Sequence, residues 1–434
     1  MAETRRENQL TRLVRAATRV EANELQATIL SFAFVFVLMT AYFILRPVRD
    51  SLSSDWTDAQ LSALWTSTFF ISILAVSIYG AVISRIRLRV IVPSVYAFFA
   101  ASFVVFYIAG RTLGDSDLVN RAYYVWLSVF SLYHLSVFWT FMSGLYNKEQ
   151  AKRLFAIIAM GASAGAIVGP SIPTFFADKI GNLNLLLIAA VLLMLPIAFI
   201  FRLERLRISD LGNEDVQADL SGDRQLSSNP FSGFTTFVRN PYLLAIGLFI
   251  VLYVVMNTFI YFELRKMLGD FDREVRTQIW GSIDLAVNSI AFLIALFATG
   301  RMATRFGMPT TLALIPALMV GGWAIVALSP VLAVLAGLQI ARRAGNYAIT
   351  RPGREMLFTA VDADTRFKAK PVIDIVVYRG GDMMTAWFYT LLTTTFALGT
   401  AGIAAVAAAI AAIWAGVGVF LGRKYDHQDT LEEQ

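Results

Sequence analysis

Tyr42-Phe43-Ile44-Leu45-Arg46 closes the first long apolar run of the chain, and Tyr261-Phe262-Glu263-Leu264-Arg265 closes the seventh. The two stretches nearly repeat each other. A second pair keeps the same register, with Gly80 to Arg85 after the second run and Gly300 to Arg305 after the eighth. Both pairs sit where apolar sequence gives way to charge, as membrane helices end. A membrane domain built twice in this way characteristically encloses a solute pathway between its halves. The repeat therefore points to solute movement before any reactive group is considered.

Composition agrees. Of the 434 residues, 57% are hydrophobic and 16% charged, against roughly 25% charged in soluble domains, and the mean hydropathy is +0.62. Crossing the hydrocarbon takes about 20 apolar residues in a helix. About twelve such runs are present, centred near Val37, Ile73, Phe103, Phe130, Ala164, Leu192, Val251, Ala291, Leu318, Leu335, Thr385 and Ala408. They are too long and continuous for barrel strands, which alternate every second residue. The sequence predicts an all-α integral membrane protein. The net charge of +6 is read as topogenic: Lys and Arg gather in alternate loops, on the side of the N-terminal Arg5, Arg6, Arg12, Arg15 and Arg19. That asymmetry places both termini in the cytoplasm and argues against nucleic acid as a partner. The first run is full length and lacks a small-residue cleavage site, so it is expected to be retained. The absence of cysteine excludes disulfide and thiolate chemistry.

The longest polar stretch divides six runs from six. The predicted organisation is an N-terminal six-helix bundle over 1–201, a cytoplasmic linker over 202–241 and a C-terminal six-helix bundle over 242–434. Two such halves match the major facilitator arrangement. The loop Gly300-Arg301-Met302-Ala303-Thr304-Arg305-Phe306-Gly307 resembles the facilitator pattern of glycine, a basic residue five positions on, then glycine. In the fifth run, Gly161, Gly165 and Gly169 share a helix face and precede Pro170. This resembles a facilitator antiporter motif, although Ser171-Ile172-Pro173 replaces its usual glycine pair; close helix packing explains the spacing as well.

Ionisable residues inside apolar runs are costly and mark function. Tyr42, Arg46 and Arg49 recur at i, i+4 and i+7, one helical face, and two guanidiniums there suit a phosphate or carboxylate. Pairing of Arg46 with Asp50 four residues on is the simpler reading. The second half is more polar inside: Asp284 and Asn288; Gln339, Arg342, Arg343, Asn346 and Tyr347; Asp374, Tyr378, Arg379 and Asp382. Their balance predicts a neutral ion network or gate formed by Asp284, Arg342, Asp374, Arg379 and Asp382. His134 is the one histidine within a run, a candidate for proton coupling or an interior polar residue. There is no phosphate-binding Gly-rich loop, no zinc-type spacing and no nucleophile elbow. The expectation is no enzyme activity, no catalytic residues, no metal and no cofactor, with transport driven by gradients or exchange.

Three ordered blocks carry a specific resemblance. Asn346-Tyr347 is followed by Pro352-Gly353-Arg354-Glu355-Met356, then by Val361 to Lys370 and Ile373-Asp374-Ile375-Val376. The others are Ile44-Leu45-Arg46-Pro47-Val48-Arg49-Asp50 and Glu149-Gln150-Ala151-Lys152-Arg153-Leu154-Phe155. Together they resemble the ATP/ADP translocases of plastids and intracellular bacteria, across nearly all of the membrane region. Pro47 and Arg49 stand where that family has Asp and Lys. The resemblance implies a fold of about twelve transmembrane helices in two bundles, exchange by alternating access, and substrate contacts at Arg49, Glu149 and Lys370 or Lys368, with Arg46 beside them. The expected partner is a small anionic solute such as a nucleotide, in a bacterial inner membrane, with a monomer favoured. Two other readings stay open: a proton-coupled exporter of apolar or cationic compounds working through Asp284 or Asp374, and a non-transporting scaffold or sensor.

Overall fold

Apolar runs that leave no backbone group unpaired in hydrocarbon must be helical, and among the described residues every regular element is a helix. The structure is a computed structural model; it describes residues 20–83, 88–213, 232–297, 299–362, 365, 369–370 and 372–432. The helices are α1 (Leu25–Leu52), α2 (Asp58–Ile83), α3 (Leu88–Leu113), α4 (Asp117–Leu145), α5 (Lys148–Ile180) and α6 (Asn182–Ser209). Beyond residue 231 come α7 (Ser232–Arg239), α8 (Pro241–Met267), α9 (Arg273–Phe297), α10 (Thr299–Leu328), α11 (Leu332–Gly345), α12 (Arg351–Leu357), α13 (Tyr378–Thr394) and α14 (Thr400–Glu432).

Ten of these helices are long and apolar enough to cross a membrane. The two remaining runs, the tenth and eleventh, make up the twelve. Their regular parts are only 14 and 17 residues, α11 and α13. Each adjoins a wide π turn, Asn346–Thr350 after α11 and Val372–Val377 before α13. Proline supplies the reason after α11. Pro352 has no N–H to donate to the carbonyl four residues back, and the turn before it widens so that the Arg351 N–H reaches Asn346 O. Such π turns are typical of functional positions, and these two flank the polar stretch of the second half.

Helix starts follow from capping. Asn147 accepts from the Glu149 and Gln150 amides, and Gln150 returns a bond to the Asn147 amide, a reciprocal box that begins α5. Thr57 and Gln60 do the same before α2. Asn240 caps α8, with Pro241 at its first position. Many hydroxyls within the runs turn back on their own helix, as Thr40 does to Phe36 O at 2.7 Å and Thr258 to Val254 O at 3.0 Å, so that these donors are satisfied inside apolar helices.

The described residues form two compact units. One holds the chain up to Arg49 and from Ser72 to the linker; the other holds Asp50–Ile71 with the chain beyond the linker. In the first, rings of Phe34, Tyr96, Phe99, Phe103, Phe130 and Phe138 make a buried aromatic core. There Gly161, Gly165 and Gly169 of α5 lie against the backbone of α1. A Cβ on Gly161 would stand 2.5 Å from Phe32 O and one on Gly169 2.7 Å from Thr40 O, while one on Gly165 would strike Phe36 O. The glycine repeat is thus occupied by close packing. In the second unit Phe249 and Tyr253 of α8 pack on Trp414 of α14. Many large apolar side chains are turned outward, among them Phe70, Phe98, Val105, Phe175 and Met384, an arrangement suited to lipid rather than water.

Candidate functional site

Along α1, Tyr42, Arg46 and Arg49 are half-buried while Ala41, Phe43, Ile44, Leu45 and Val48 are buried. The predicted i, i+4, i+7 face is therefore the open side of the helix. Arg49 Nη1 donates to Ser128 Oγ at 3.3 Å, and its guanidinium lies 5.3 Å from the Tyr124 ring. Arg46 sits 6.0 Å from the Phe43 ring. Tyr42 stacks on His134 at 4.4 Å, nearly parallel. The first unit thus presents two guanidiniums and a ring stack contributed by α1 and α4. Asp50 accepts from Tyr261 at 3.2 Å within the second unit.

Glu149 is exposed on the first turn of α5. Of its basic neighbours, Arg153 is taken by Glu24, with bonds of 3.0 and 2.7 Å, which ties α5 to the segment that opens α1. Lys368 lies outside the described residues, as do Arg85 and Arg366.

Several charges of the second half are held in ion pairs. Arg343 binds Asp284 at 2.5 Å, with both side chains buried. Arg379 approaches Asp382 at 3.7 Å on the same helix. Asp374 lies 3.7 Å from Arg354. Arg342 is bound by two neutral oxygens, Asn257 Oδ1 at 2.7 Å and Gln339 Oε1 at 2.9 Å, and its guanidinium lies 5.3 Å from the Tyr253 ring. Neighbours one residue apart point 100° away from each other on a helix, which is why Arg342 and Arg343 reach different partners.

At the junction after the tenth run, Glu355 gathers two cations, Lys370 Nζ at 2.5 Å and Arg354 at 2.9 Å. Lys370 also lies 5.3 Å from the Phe358 ring. Burial raises the Glu355 pKa and is its largest single influence, but Lys370 and Arg354 together outweigh it and hold the carboxyl below its ordinary value. The sign follows: a depressed carboxylate contributes stability above its unfolded pKa and loses it as pH falls through the folded value. The Tm difference between wild type and Glu355→Gln should therefore be largest near neutrality and shrink as the pH falls below the ordinary glutamate range. A difference that stays constant over that range would contradict the pairing.

One cluster was not anticipated. Asp55 binds Arg273 and Arg276 at 2.7 and 2.6 Å. Asp58 binds Arg265, and Lys266 at 3.1 Å, and accepts from Thr393 at 2.8 Å. Arg265 also caps Ser53 O and Trp56 O at 3.1 and 2.6 Å. Lys266 donates to Tyr389 at 2.8 Å; Tyr389 donates to Glu263, which accepts from Thr400 at 2.8 Å. The signal lay in charge complementarity: Asp50, Asp55 and Asp58 after the first run, and Arg265, Lys266, Arg273 and Arg276 after the seventh.

The long apolar helices, their outward-facing apolar side chains and the partly buried guanidiniums are those of a multi-pass membrane protein. The sequence profile of the Major Facilitator Superfamily matches residues 18–349, and the chain belongs to that family. ADP,ATP carrier protein 1 of Chlamydia pneumoniae is 21% identical over 493 residues, covering 96% of this chain and 94% of that one. Among solved structures, a bacterial homologue of the iron transporter ferroportin in an inward-facing state is 12% identical with a TM-score of 0.64, over 93% of this chain and 99% of that one. The nucleoside transporter NupG is 15% identical with a TM-score of 0.61, over 94% and 99%. These structures share the fold. The protein is a multi-pass membrane transporter of the major facilitator type.

Proposed function

We propose that this protein exchanges a nucleotide or a similar phosphorylated anion across a bacterial inner membrane by alternating access, with both termini cytoplasmic and bundles 1–201 and 242–434 joined by linker 202–241. The observation that carries this reading is the half-buried guanidinium pair Arg46 and Arg49 on one face of α1, within a chain similar over nearly its whole length to an ADP,ATP carrier. Guanidiniums kept partly out of water bind phosphate oxygens strongly, and their planar fork matches a phosphate bidentately, as the point charge of a lysine does not. Glu149, Lys370 and Lys368 take the supporting roles that the family resemblance gives them. Because Asp284 is bound to Arg343, a proton-carrying exporter has less to work with at that position.

A thermal-shift panel of nucleotides, phosphosugars and cationic drugs on purified protein tests this, since a ligand stabilises the state that it binds by mass action. A di- or triphosphate nucleotide should raise Tm, and reconstituted vesicles loaded with it should exchange it. Lys370→Ala should weaken the nucleotide response and change the apo Tm little, because its pair with Glu355 is half exposed. Stabilisation by cations and by no anion would reject the anion reading and favour the exporter.

A further inference from the structure

Arg342 is a fully buried cation whose contacts among the described residues are all neutral. It is 0% exposed, yet its hydrogen bonds run from Nη2 alone, to the amide oxygens of Asn257 and Gln339. Nε and Nη1 are buried with no hydrogen-bond partner among the described residues. A guanidinium has five N–H donors and stays charged in proteins, so two are used and three are unmet. The acids of the same polar stretch of the second half have arginine partners of their own: Asp284 with Arg343, Asp382 with Arg379, Asp374 with Arg354. What remains is the Tyr253 ring at 5.3 Å, a weak substitute for a counter-ion. A charge held in a membrane domain without an acid is expensive, and sequence-based pairing with Asp374 or Asp382 would have relieved it.

We propose that Arg342 is an anion-binding residue of the second unit, taking a phosphate or carboxylate group of the transported solute, with Asn257 as the neutral placeholder that the anion displaces. Asn257 is half-buried where Arg342, Gln339 and Tyr253 are buried, so the approach to the guanidinium runs over Asn257. Gln339 then keeps the guanidinium oriented while the Nη2 N–H released by Asn257 and the neighbouring unmet N–H of Nη1 donate to the incoming oxygens. The inference deepens the anion reading above and rests on its substrate class.

The test supplies the missing acid from within. Asn257→Asp puts a carboxylate at hydrogen-bond distance from Arg342, and should raise the apo Tm while weakening binding of the added anion by about tenfold or more, the effect of losing one charge-assisted contact. Arg342→Gln should also hold or raise the apo Tm and weaken the same binding; Arg342→Lys should recover it in part. The probes are ATP, ADP, pyrophosphate and inorganic phosphate, read by thermal shift on the full-length protein. Anion responses that survive both Asn257→Asp and Arg342→Gln would overturn the assignment and leave the nucleotide reading intact. A fall in apo Tm with Arg342→Gln would overturn it too, because it would reveal a counter-ion already in place. Responses to pyrophosphate or phosphate but to neither nucleotide, lost in both variants, would uphold Arg342 and reject the nucleotide. No anion response in wild type would overturn both.

Discussion

Gly165→Leu should yield no folded protein, and Gly165→Ala should lower stability by about 1–3 kcal/mol, the usual scale for overpacking. The reason is what the new atom meets. A Cβ at Gly165 strikes the carbonyl oxygen of Phe36, and Met39 Cβ stands 3.0 Å away. A side chain could rotate aside, but a backbone carbonyl moves only with its helix. This carbonyl is further fixed by the Thr40 hydroxyl, which donates to it at 2.7 Å. Gly161 and Gly169 impose the same approach one turn away on either side, so α5 cannot tilt to relieve a single contact. Alanine gains about 0.5–1 kcal/mol over glycine in a helix interior, which offsets only part of the clash. Gly416→Ala and Gly321→Ala are the controls: nothing lies within 4 Å of a Cβ at either, and both should be neutral or mildly stabilising. The measurements are the monodisperse fraction in detergent and Tm. If Gly165→Ala melts with the controls, the packing is looser than described.

Much of this architecture is legible in sequence because membrane physics is strict. Uninterrupted apolar runs have to be helices, and the recurrence of Tyr42 to Arg46 as Tyr261 to Arg265 announces the doubled plan. The runs that differ from simple expectation are those around Arg342 and Arg379, where π turns, the first of them before Pro352, interrupt the helices in a way that hydropathy does not register. Side-chain pairing is less legible for a related reason. Helical spacing shows which residues share a face, but whether Arg342 or Arg343 meets Asp284 depends on how α9 and α11 are rotated against each other. The sequence balance of three acids and three arginines suggests one network, and the structure gives the partners that spacing cannot: Asp284 with Arg343, Asp382 with Arg379, Asp374 with Arg354, and Arg342 held by two amides. The acidic segment Asp50–Asp58 and its basic partners are visible as opposite charges in two loops, yet nothing local in either loop says that they meet.

The Asp284–Arg343 pair should show the largest energetic coupling in the protein. The side chains are 1% and 3% exposed and 2.5 Å apart, on α9 and α11. Removing one partner leaves the other as an uncompensated buried charge, at a cost of about 3–5 kcal/mol. Asp284→Ala and Arg343→Ala should each lower Tm sharply. Replacing both with apolar residues of similar volume, Asp284→Leu with Arg343→Met, removes the desolvation of both ions together with their attraction, and such exchanges are often neutral or stabilising by about 1–4 kcal/mol. The double variant should therefore melt near or above wild type, giving a coupling of several kcal/mol in a double-mutant cycle. Arg342 makes the contrast. Among the described residues its charge has no acid to lose, so Arg342→Gln should not carry the penalty of Arg343→Ala, although the two arginines are adjacent in sequence and both buried. If both arginine variants fall by the same amount, burial alone governs this helix, and the division between a paired and an amide-held guanidinium carries no energetic meaning. If Asp284→Ala changes Tm by no more than an exposed substitution would, within about 0.5 kcal/mol, the pair is absent from the folded protein in solution.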